Sequence, residues 1–218
     1  NVDLKDNKRS LLSNGLSCDR KSIVVTKTGP LAQTNSIWID SKEKIYTPRK
    51  GDVVVGIITK TKLSQYVLDI NAARHGLLPC LSFRGASKRF KPNLDIGDAV
   101  YCKVSLADKF LEAELTCISE SCKKEWSTGE AYFTNLEGGN LLALTPSLSR
   151  KLMSSEKKFA LDFMGKYVPY ELAIGLNGYV WVNSIDNRKT IIVSNLIECI
   201  LAEGDSQKNL QMINHLLK

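Results

Sequence analysis

Five short runs of apolar and β-branched residues follow one another between residues 51 and about 118. They cover residues 53–58, 65–70, 76–79, 99–104 and 111–115, with turn-forming residues between them. Runs of this length and composition are typical of β-strands. Gly56 falls inside the first run, where a glycine relieves crowding in a strand that bends around a corner. Five short strands in this space predict a small closed barrel of the OB type.

The residues before the barrel alternate short β-like runs, at 23–26 and 36–40, with turn residues. This pattern predicts an N-terminal β domain. A proline, a basic pair and a Gly-Asp turn follow within residues 47–52 and indicate a junction with the barrel.

The residues after the barrel have a mixed pattern. Thr145 and Pro146 indicate the start of a helix, and apolar spacing over residues 191–201 predicts a second helix that stops at Gly204. A last helix is predicted over residues 205–217. We therefore predict a chain that is mainly β with an α+β C-terminal part. The predicted domains are 1–48 (N-terminal β domain), 49–120 (OB-fold barrel) and 121–218 (α+β domain of KH type).

Residues 175–178, Gly-Leu-Asn-Gly, have the Gly-x-x-Gly spacing with which KH domains clamp an RNA backbone. A KH clamp joins two helices, whereas β-like runs flank this segment on both sides. The inner residues Leu176 and Asn177 carry no charge, and Asn-Gly is a strong β-hairpin signal because both residues tolerate positive φ. We predict that Gly175 to Gly178 form a structural turn and that Trp181 lies in the core. Direct RNA contact by this turn remains the alternative.

The net charge of +7, with a pI near 9.0, indicates a polyanionic partner. The charge is concentrated between Asp69 and Asp95, where no residue is acidic. The basic side chains of this interval are Arg74, Arg84, Lys88, Arg89 and Lys91, together with His75. OB barrels bind nucleic acid on their second and third strands and the adjoining loops, which is where this interval falls. We predict a nucleic-acid contact here; a solvated loop is the alternative.

Two aromatic residues, Tyr66 and Phe83, lie in or beside the predicted binding strands. They are candidates for stacking on nucleic-acid bases. The alternative is that both fill the core, because a small barrel also needs aromatic core residues.

Candidate catalytic chemistry is sparse in this chain. Glu112 and Glu114 lie two residues apart on a predicted strand, so both carboxylates point to one face and could bind magnesium in a nuclease. We favour the solvated face of a strand whose Leu111, Ala113 and Leu115 point inward.

The six cysteines lack the paired spacing of zinc sites, which predicts free thiols in a reducing compartment. No apolar window is long enough for a membrane span.

Several segments together resemble the S1-plus-KH cap subunits of the eukaryotic RNA exosome. The segments that carry the resemblance are residues 51–56, 83–89, 91–93, 96–101 and 175–178 with Trp181. The Gly-x-Asn-Gly motif is shared by two sister cap subunits, and Ala86-Ser87-Lys88-Arg89 favours one of them. The resemblance extends from Ile23 to the C-terminus.

This resemblance implies an N-terminal β domain, an S1-type OB barrel and a KH-type domain, with the Gly175–Gly178 turn buried against the barrel. It also implies a non-catalytic RNA-binding subunit that lies with two other cap proteins on a ring of RNase PH-like subunits. Such a subunit stabilises the ring and guides RNA into the central channel for 3′-to-5′ processing and decay, including rRNA processing, in the nucleus, nucleolus and cytoplasm. No cofactor is implied. The alternatives are a stand-alone OB/KH RNA-binding factor in ribosome assembly and a metal-dependent nuclease.

Overall fold

The computed structural model describes residues 11–12, 16–19, 22–26, 28–29, 31–33, 36–39, 44–108, 110–119, 122–128 and 130–202. The chain divides into two compact units, which meet in sequence between Lys44 and Ile45.

The N-terminal unit is built from short strands. They are β1 (Leu11–Leu12), β2 (Leu16–Asp19), β3 (Ser22–Val25), β4 (Leu31–Gln33) and β5 (Ser36–Ile39). Strands β1, β5 and β4 form one sheet in that order, and β2 and β3 form an antiparallel pair. The predicted runs at 23–26 and 36–40 correspond to β3 and β5, and Ile23 and Ile39 are buried.

The second unit begins with the five barrel strands. They are β6 (Val53–Thr61), β7 (Gln65–Asp69), β8 (Gly76–Pro79), β9 (Ala99–Leu106) and β10 (Ala113–Thr116). Neighbours pair in the order β6-β7-β8-β10-β9, and β9 pairs back with β6, which closes the barrel. The β8–β10 pairing is parallel and the others are antiparallel. The predicted OB-type barrel is confirmed.

Side chains that alternate along these strands fill the barrel. Along β9, Val100, Cys102 and Val104 are buried. An added Cβ on Gly56 would lie 2.7 Å from a methyl of Leu68, so a larger residue there would force the buried Leu68 side chain to shift. Strand β10 is shorter than predicted: Leu111 precedes it and is 63% exposed, so the expectation that Leu111 points inward is wrong.

The chain then forms an α+β domain. Its elements are β11 (Asn135–Leu136), β12 (Asn140–Ala143), α1 (Pro146–Leu152), α2 (Ser155–Gly165), β13 (Tyr170–Ile174), β14 (Tyr179–Ser184) and α3 (Asn187–Ala202), and a 3₁₀ turn at Trp126–Thr128 precedes them. Strand β11 pairs with β9 of the barrel, whereas β12, β14 and β13 form a separate sheet in that order. The predicted helix start at Thr145 and Pro146 is confirmed, since Thr145 is the extended residue before α1.

The helices of this domain form one core with its sheet. Leu152, Met164, Val180, Val182 and Ile197 are all buried in this cluster. The helix predicted over residues 191–201 corresponds to α3, which starts earlier, at Asn187. The helix predicted over 205–217 lies outside the described residues. In the part of the chain that the structure describes, no helix is long and apolar enough to cross a membrane.

The barrel and the sheet of the α+β domain meet along β6. Val54 points into the barrel, and Val55, on the opposite face of the same strand, packs against Ala173 and Trp181. Both faces of β6 are therefore buried, which is why its sequence reads as a continuous apolar run rather than an alternating one.

Candidate nucleic-acid interface

The Gly175–Gly178 segment connects β13 to β14, which are antiparallel neighbours. The amide of Gly178 donates to the carbonyl of Gly175 at 3.2 Å, and the amide of Gly175 donates to Tyr179 O at 2.9 Å. The amide of Leu176 donates to Val53 O of the barrel at 2.9 Å. These amides are therefore already paired, and they are not available to a phosphate as the amides of a KH clamp are.

Asn177 anchors this turn to the barrel. Its side chain is fully buried; Nδ2 donates to Val55 O at 2.7 Å and to Ile70 O at 3.0 Å, and Oδ1 accepts from Val55 N at 3.3 Å. Strand β7 pairs with β6 only from Ile57 onward, so one edge of Val55 has no strand partner. The Asn177 amide takes that place in the ladder.

The two glycines of the motif are required by close approaches. A Cβ on Gly175 would lie 2.7 Å from Val55 N, and one on Gly178, whose φ is +96°, would lie 2.4 Å from Leu144 O. The hairpin expectation was correct in its strands and in the positive φ of Gly178, but Asn177 does not have positive φ. Among the described non-glycine residues positive φ occurs at Asn71, so Asn177 serves through its buried side chain rather than its backbone.

Further contacts hold the barrel and the α+β domain together near this turn. Asn71 Nδ2 donates to the carbonyl of Asn177 at 2.8 Å, and Tyr179 donates its hydroxyl to Asp69 at 3.1 Å. Trp181 is buried, and its indole nitrogen donates to Gly138 O at 2.8 Å. Gly175, Leu176, Asn177, Gly178 and Trp181 thus join the two domains.

Three of the five basic residues of the acid-free interval hold backbone carbonyls. Arg74 donates to Phe110 O, Arg84 donates to Cys122 O at 2.9 Å, and Lys91 donates to Leu63 O at 3.2 Å. These contacts attach neighbouring loops to one another. The three side chains retain their charge, so they also add to the positive field around the barrel.

Lys88 and Arg89 lie at the tip of a tight turn between β8 and β9. The amide of Ser87 donates to Phe90 O at 2.7 Å, and the amide of Phe90 donates back to Ser87 Oγ at 3.1 Å. Both cations are exposed. Neither forms an ion pair within the part of the chain that the structure describes. Free cations on an ordered turn are suited to a phosphate backbone.

A second pair of cations, Lys60 and Lys62, lies outside the interval between Asp69 and Asp95. They lie in the β6–β7 hairpin and are exposed. The bond from Lys91 to Leu63 O ties this hairpin to the segment that follows the Lys88–Arg89 turn. A signal was present: from residue 53 to residue 94 Asp69 is the sole acidic residue against seven basic ones, so the basic stretch begins before Asp69.

The structure contradicts the expectation that Tyr66 and Phe83 stack on bases. Their exposed fractions are 3% and 2%, and the Tyr66 hydroxyl donates to Pro92 O at 2.6 Å inside the protein. A base must reach the face of a ring, and neither face is open here. The alternative role, filling the barrel core, is the one both residues have.

An exposed aromatic residue lies nearby. Phe90 follows Arg89 directly and is 54% exposed. Its ring packs against that of Trp126, with centroids 5.0 Å apart and planes inclined at 37°. Phe90 lies in a loop rather than in a predicted binding strand, so the strand pattern does not indicate it.

The acidic pair has no partners for metal binding. Glu112 and Glu114 are exposed, and Glu112 precedes β10. Among the described residues, no group of three or more His, Cys, Asp or Glu side chains could hold a metal ion. The described cysteines Cys80, Cys102, Cys117, Cys122 and Cys199 are free thiols, and burial raises the pKa of Cys102 to about 12.

A groove of about 920 Å³ lies between the barrel and the α+β domain. Its described lining includes neither lysine nor arginine but three glutamates: Glu130, which is paired with Lys124, and Glu137 and Glu171. A surface of this charge repels phosphates. The electrostatics therefore favour the loops around Lys88 rather than this groove as the RNA-binding surface.

Comparison with known proteins agrees with this architecture. Residues 46–129 match a family model described as "Exosome complex component RRP40, S1 domain", and residues 139–188 match a KH domain model. A solved structure titled "Crystal structure of putative exosome complex RNA-binding protein" has the same fold. It superposes with a TM-score of 0.63 at 20% identity and covers 79% of this chain and 97% of its own.

Curated relatives cover most of the chain. The Dictyostelium discoideum protein "Putative exosome complex component rrp40" is 38% identical over 186 residues, which is 84% of this chain and 76% of the relative. Human "Exosome complex component RRP40" is 31% identical over 224 residues, 93% of this chain and 79% of the relative. The Schizosaccharomyces pombe protein "Exosome complex component rrp40" is 38% identical over 180 residues, which is 81% of this chain and 72% of the relative.

An S1-type barrel followed by a KH domain places the chain in the class of S1/KH RNA-binding proteins. Within this class, the chain belongs to the exosome complex component RRP40 family. The resemblance noted from the sequence is thereby confirmed.

Proposed function

We propose that this chain is a non-catalytic cap subunit of the RNA exosome, which stabilises the ring and guides RNA into the central channel for 3′-to-5′ processing and decay. The partners proposed are RNA, the RNase PH-like ring subunits and the other cap subunits. Ribosomal RNA processing and general RNA decay are the proposed pathways, in the nucleus, nucleolus and cytoplasm. The domains proposed are residues 1–48, 49–120 and 121–218.

The observation that carries this proposal is the exposed Lys88–Arg89 turn on an S1-type barrel. The Gly-x-x-Gly segment, which would otherwise clamp RNA, is used to join the domains. RNA binding is therefore assigned to the barrel loops. Arg74, Arg84 and Lys91 contribute to the field, while Lys88 and Arg89 contact phosphates directly.

A charge-reversal experiment tests the RNA contact. Lys88→Glu/Arg89→Glu should weaken binding of a fluorescein-labelled oligouridylate by at least roughly tenfold at low salt, and should reduce the slope of log K against log salt by about 1.4, because two phosphate contacts are lost. The matched control is Lys158→Glu/Arg188→Glu, which makes the same charge change at two exposed positions on α2 and α3. Equal weakening by both pairs would show that only net charge matters.

Co-elution tests the assembly. The chain should co-elute stoichiometrically with reconstituted RNase PH-like ring subunits, and Lys88→Glu/Arg89→Glu should leave co-elution unchanged. A chain that binds RNA but never co-elutes with the ring would instead be a stand-alone RNA-binding factor. Incubation with labelled RNA and magnesium tests the proposed absence of catalysis, and cleavage that Glu112→Gln abolishes would overturn it.

A further inference from the structure

Phe90 is a large apolar side chain held at the surface beside two free cations. It is 54% exposed, although the barrel core lies only a few residues away at the buried Pro92 and Leu94. Exposing an aromatic ring forgoes the free energy of burying it. Single exposed apolar residues are common on protein surfaces, so what distinguishes Phe90 is its surroundings.

The ring of Phe90 is positioned by contacts on its inner side. It packs against Trp126, and the Trp126 amide donates to Arg84 O at 3.2 Å, which ties the indole to the same loop. The two hydrogen bonds between Ser87 and Phe90 fix the backbone of the turn. Phe90 is therefore a pre-positioned ring, and the conformational entropy lost when a ligand packs on it is small.

The chemistry around the ring matches one unpaired nucleotide. Lys88 and Arg89 precede Phe90 directly and are exposed, so cations suited to phosphates adjoin an aromatic face suited to a base. A protein partner that packed on Phe90 would also bury these two charges, which is costly without acidic partners. RNA neutralises the charges and covers the ring together.

We propose that Phe90 is a stacking platform for one unpaired RNA base, with Lys88 and Arg89 on the flanking phosphates. This site rests on the proposed function, because it requires that RNA pass the Lys88–Arg89 turn. Stacking on Phe90 is indifferent to base identity, since every base has a π face. It would hold a single strand in register without imposing a sequence preference, and it would exclude a duplex, whose bases are already stacked.

Fluorescence anisotropy with the full chain and a labelled oligouridylate of about 12 nucleotides tests the site. Phe90→Ala should weaken binding roughly 5- to 160-fold, the range for loss of one base–aromatic stack, and should leave the salt slope unchanged. Lys88→Glu/Arg89→Glu should lower the salt slope. Phe90→Trp should retain binding. Phe159→Ala is the control, because Phe159 is 60% exposed on α2 and away from the loop in sequence.

A second probe needs no substitution. The same oligomer with abasic sites along its central half should bind the unmodified chain more weakly by the same factor, and Phe90→Ala should bind both oligomers equally. The site would be overturned if the abasic sites and Phe90→Ala weakened binding by different factors. It would also be overturned if Phe90→Ala left both the affinity and the melting temperature unchanged. Either result would leave the proposed function standing provided that Lys88→Glu/Arg89→Glu still weakens binding.

Failure of the proposed function gives a different pattern. If neither Phe90→Ala nor Lys88→Glu/Arg89→Glu changes RNA affinity, both proposals fail. Phe90→Ala could instead abolish co-elution with the RNase PH-like subunits and leave RNA affinity unchanged. In that case the Phe90 side chain packs on a protein, and the stacking site is overturned.

Discussion

Replacing Asn177 with alanine should destabilise the joined barrel and KH domain strongly, although Asn177 belongs to neither hydrophobic core. The side chain is fully buried and makes three hydrogen bonds with Val55 and Ile70, at 2.7, 3.0 and 3.3 Å. A net hydrogen bond contributes about 1 kcal/mol, and each buried partner left unpaired costs about 1 to 3 kcal/mol. We therefore expect the free energy of unfolding to fall by about 3 to 5 kcal/mol.

The assay is equilibrium unfolding in urea and heat, followed by far-ultraviolet circular dichroism. For a chain of this size the melting temperature should fall by roughly 10 °C. Asn195→Ala is the matched control, because Asn195 is exposed on α3, and it should change stability by no more than about 0.5 kcal/mol. A loss below about 1 kcal/mol for Asn177→Ala would refute the inference that its amide completes the β6 ladder.

A carboxylate at the same position gives a finer test. Asn177→Asp has the same shape but cannot donate to the carbonyls of Val55 and Ile70 when ionised. Burial and the facing carbonyls raise the pKa of the new carboxyl above its unfolded value. Its penalty should therefore grow as pH rises from the unfolded pKa through the folded one, and it should be smallest in acid, where the protonated group can donate. A penalty independent of pH would contradict this geometry.

Two further predictions concern stability. Gly178→Asp should lower the melting temperature by several degrees while leaving RNA affinity almost unchanged, since a Cβ would lie 2.4 Å from a backbone carbonyl at φ +96°; a larger effect on RNA affinity than on melting would return the turn to RNA binding. Tyr46→Phe removes the 2.6 Å hydrogen bond to Asp52, whose pKa burial already raises. That pKa should rise further, so the loss of stability, about 1 to 2 kcal/mol at pH 7, should shrink as pH falls toward the unfolded pKa. Urea titrations of Tyr46→Phe and the unmodified chain at pH 7 and at a pH near the unfolded pKa of Asp52 check this. An equal loss of stability at the two pH values would count against it.

The barrel could be predicted from the sequence because its signals are local. Strand runs, Gly56 and the turns between them are each visible within a few residues. The error at Leu111 arose because alternation alone does not show where a strand begins. The charge pattern likewise located Lys88 and Arg89, since both lie in one uninterrupted interval without acids.

The roles of Asn177 and Phe90 depend on contacts between distant residues. Asn177 reaches Val55, 122 residues away, and no local pattern shows that β6 lacks a partner there. Tyr66 and Phe83 were chosen as stacking residues because they lie beside the binding strands, yet strand alternation leaves open which face of a barrel wall is inside. Phe90 lies in a loop, and its ring is positioned by Trp126, 36 positions later in the chain, which no local pattern shows.

The most direct measurement is nuclease protection of a labelled single-stranded RNA by the reconstituted ring with its cap subunits. If this chain guides RNA past the Lys88–Arg89 turn, Lys88→Glu/Arg89→Glu should shorten or abolish the long protected fragment while the complex elutes intact, and Lys158→Glu/Arg188→Glu should leave protection unchanged. Full-length protection in the Lys88→Glu/Arg89→Glu complex would contradict RNA guidance by this barrel.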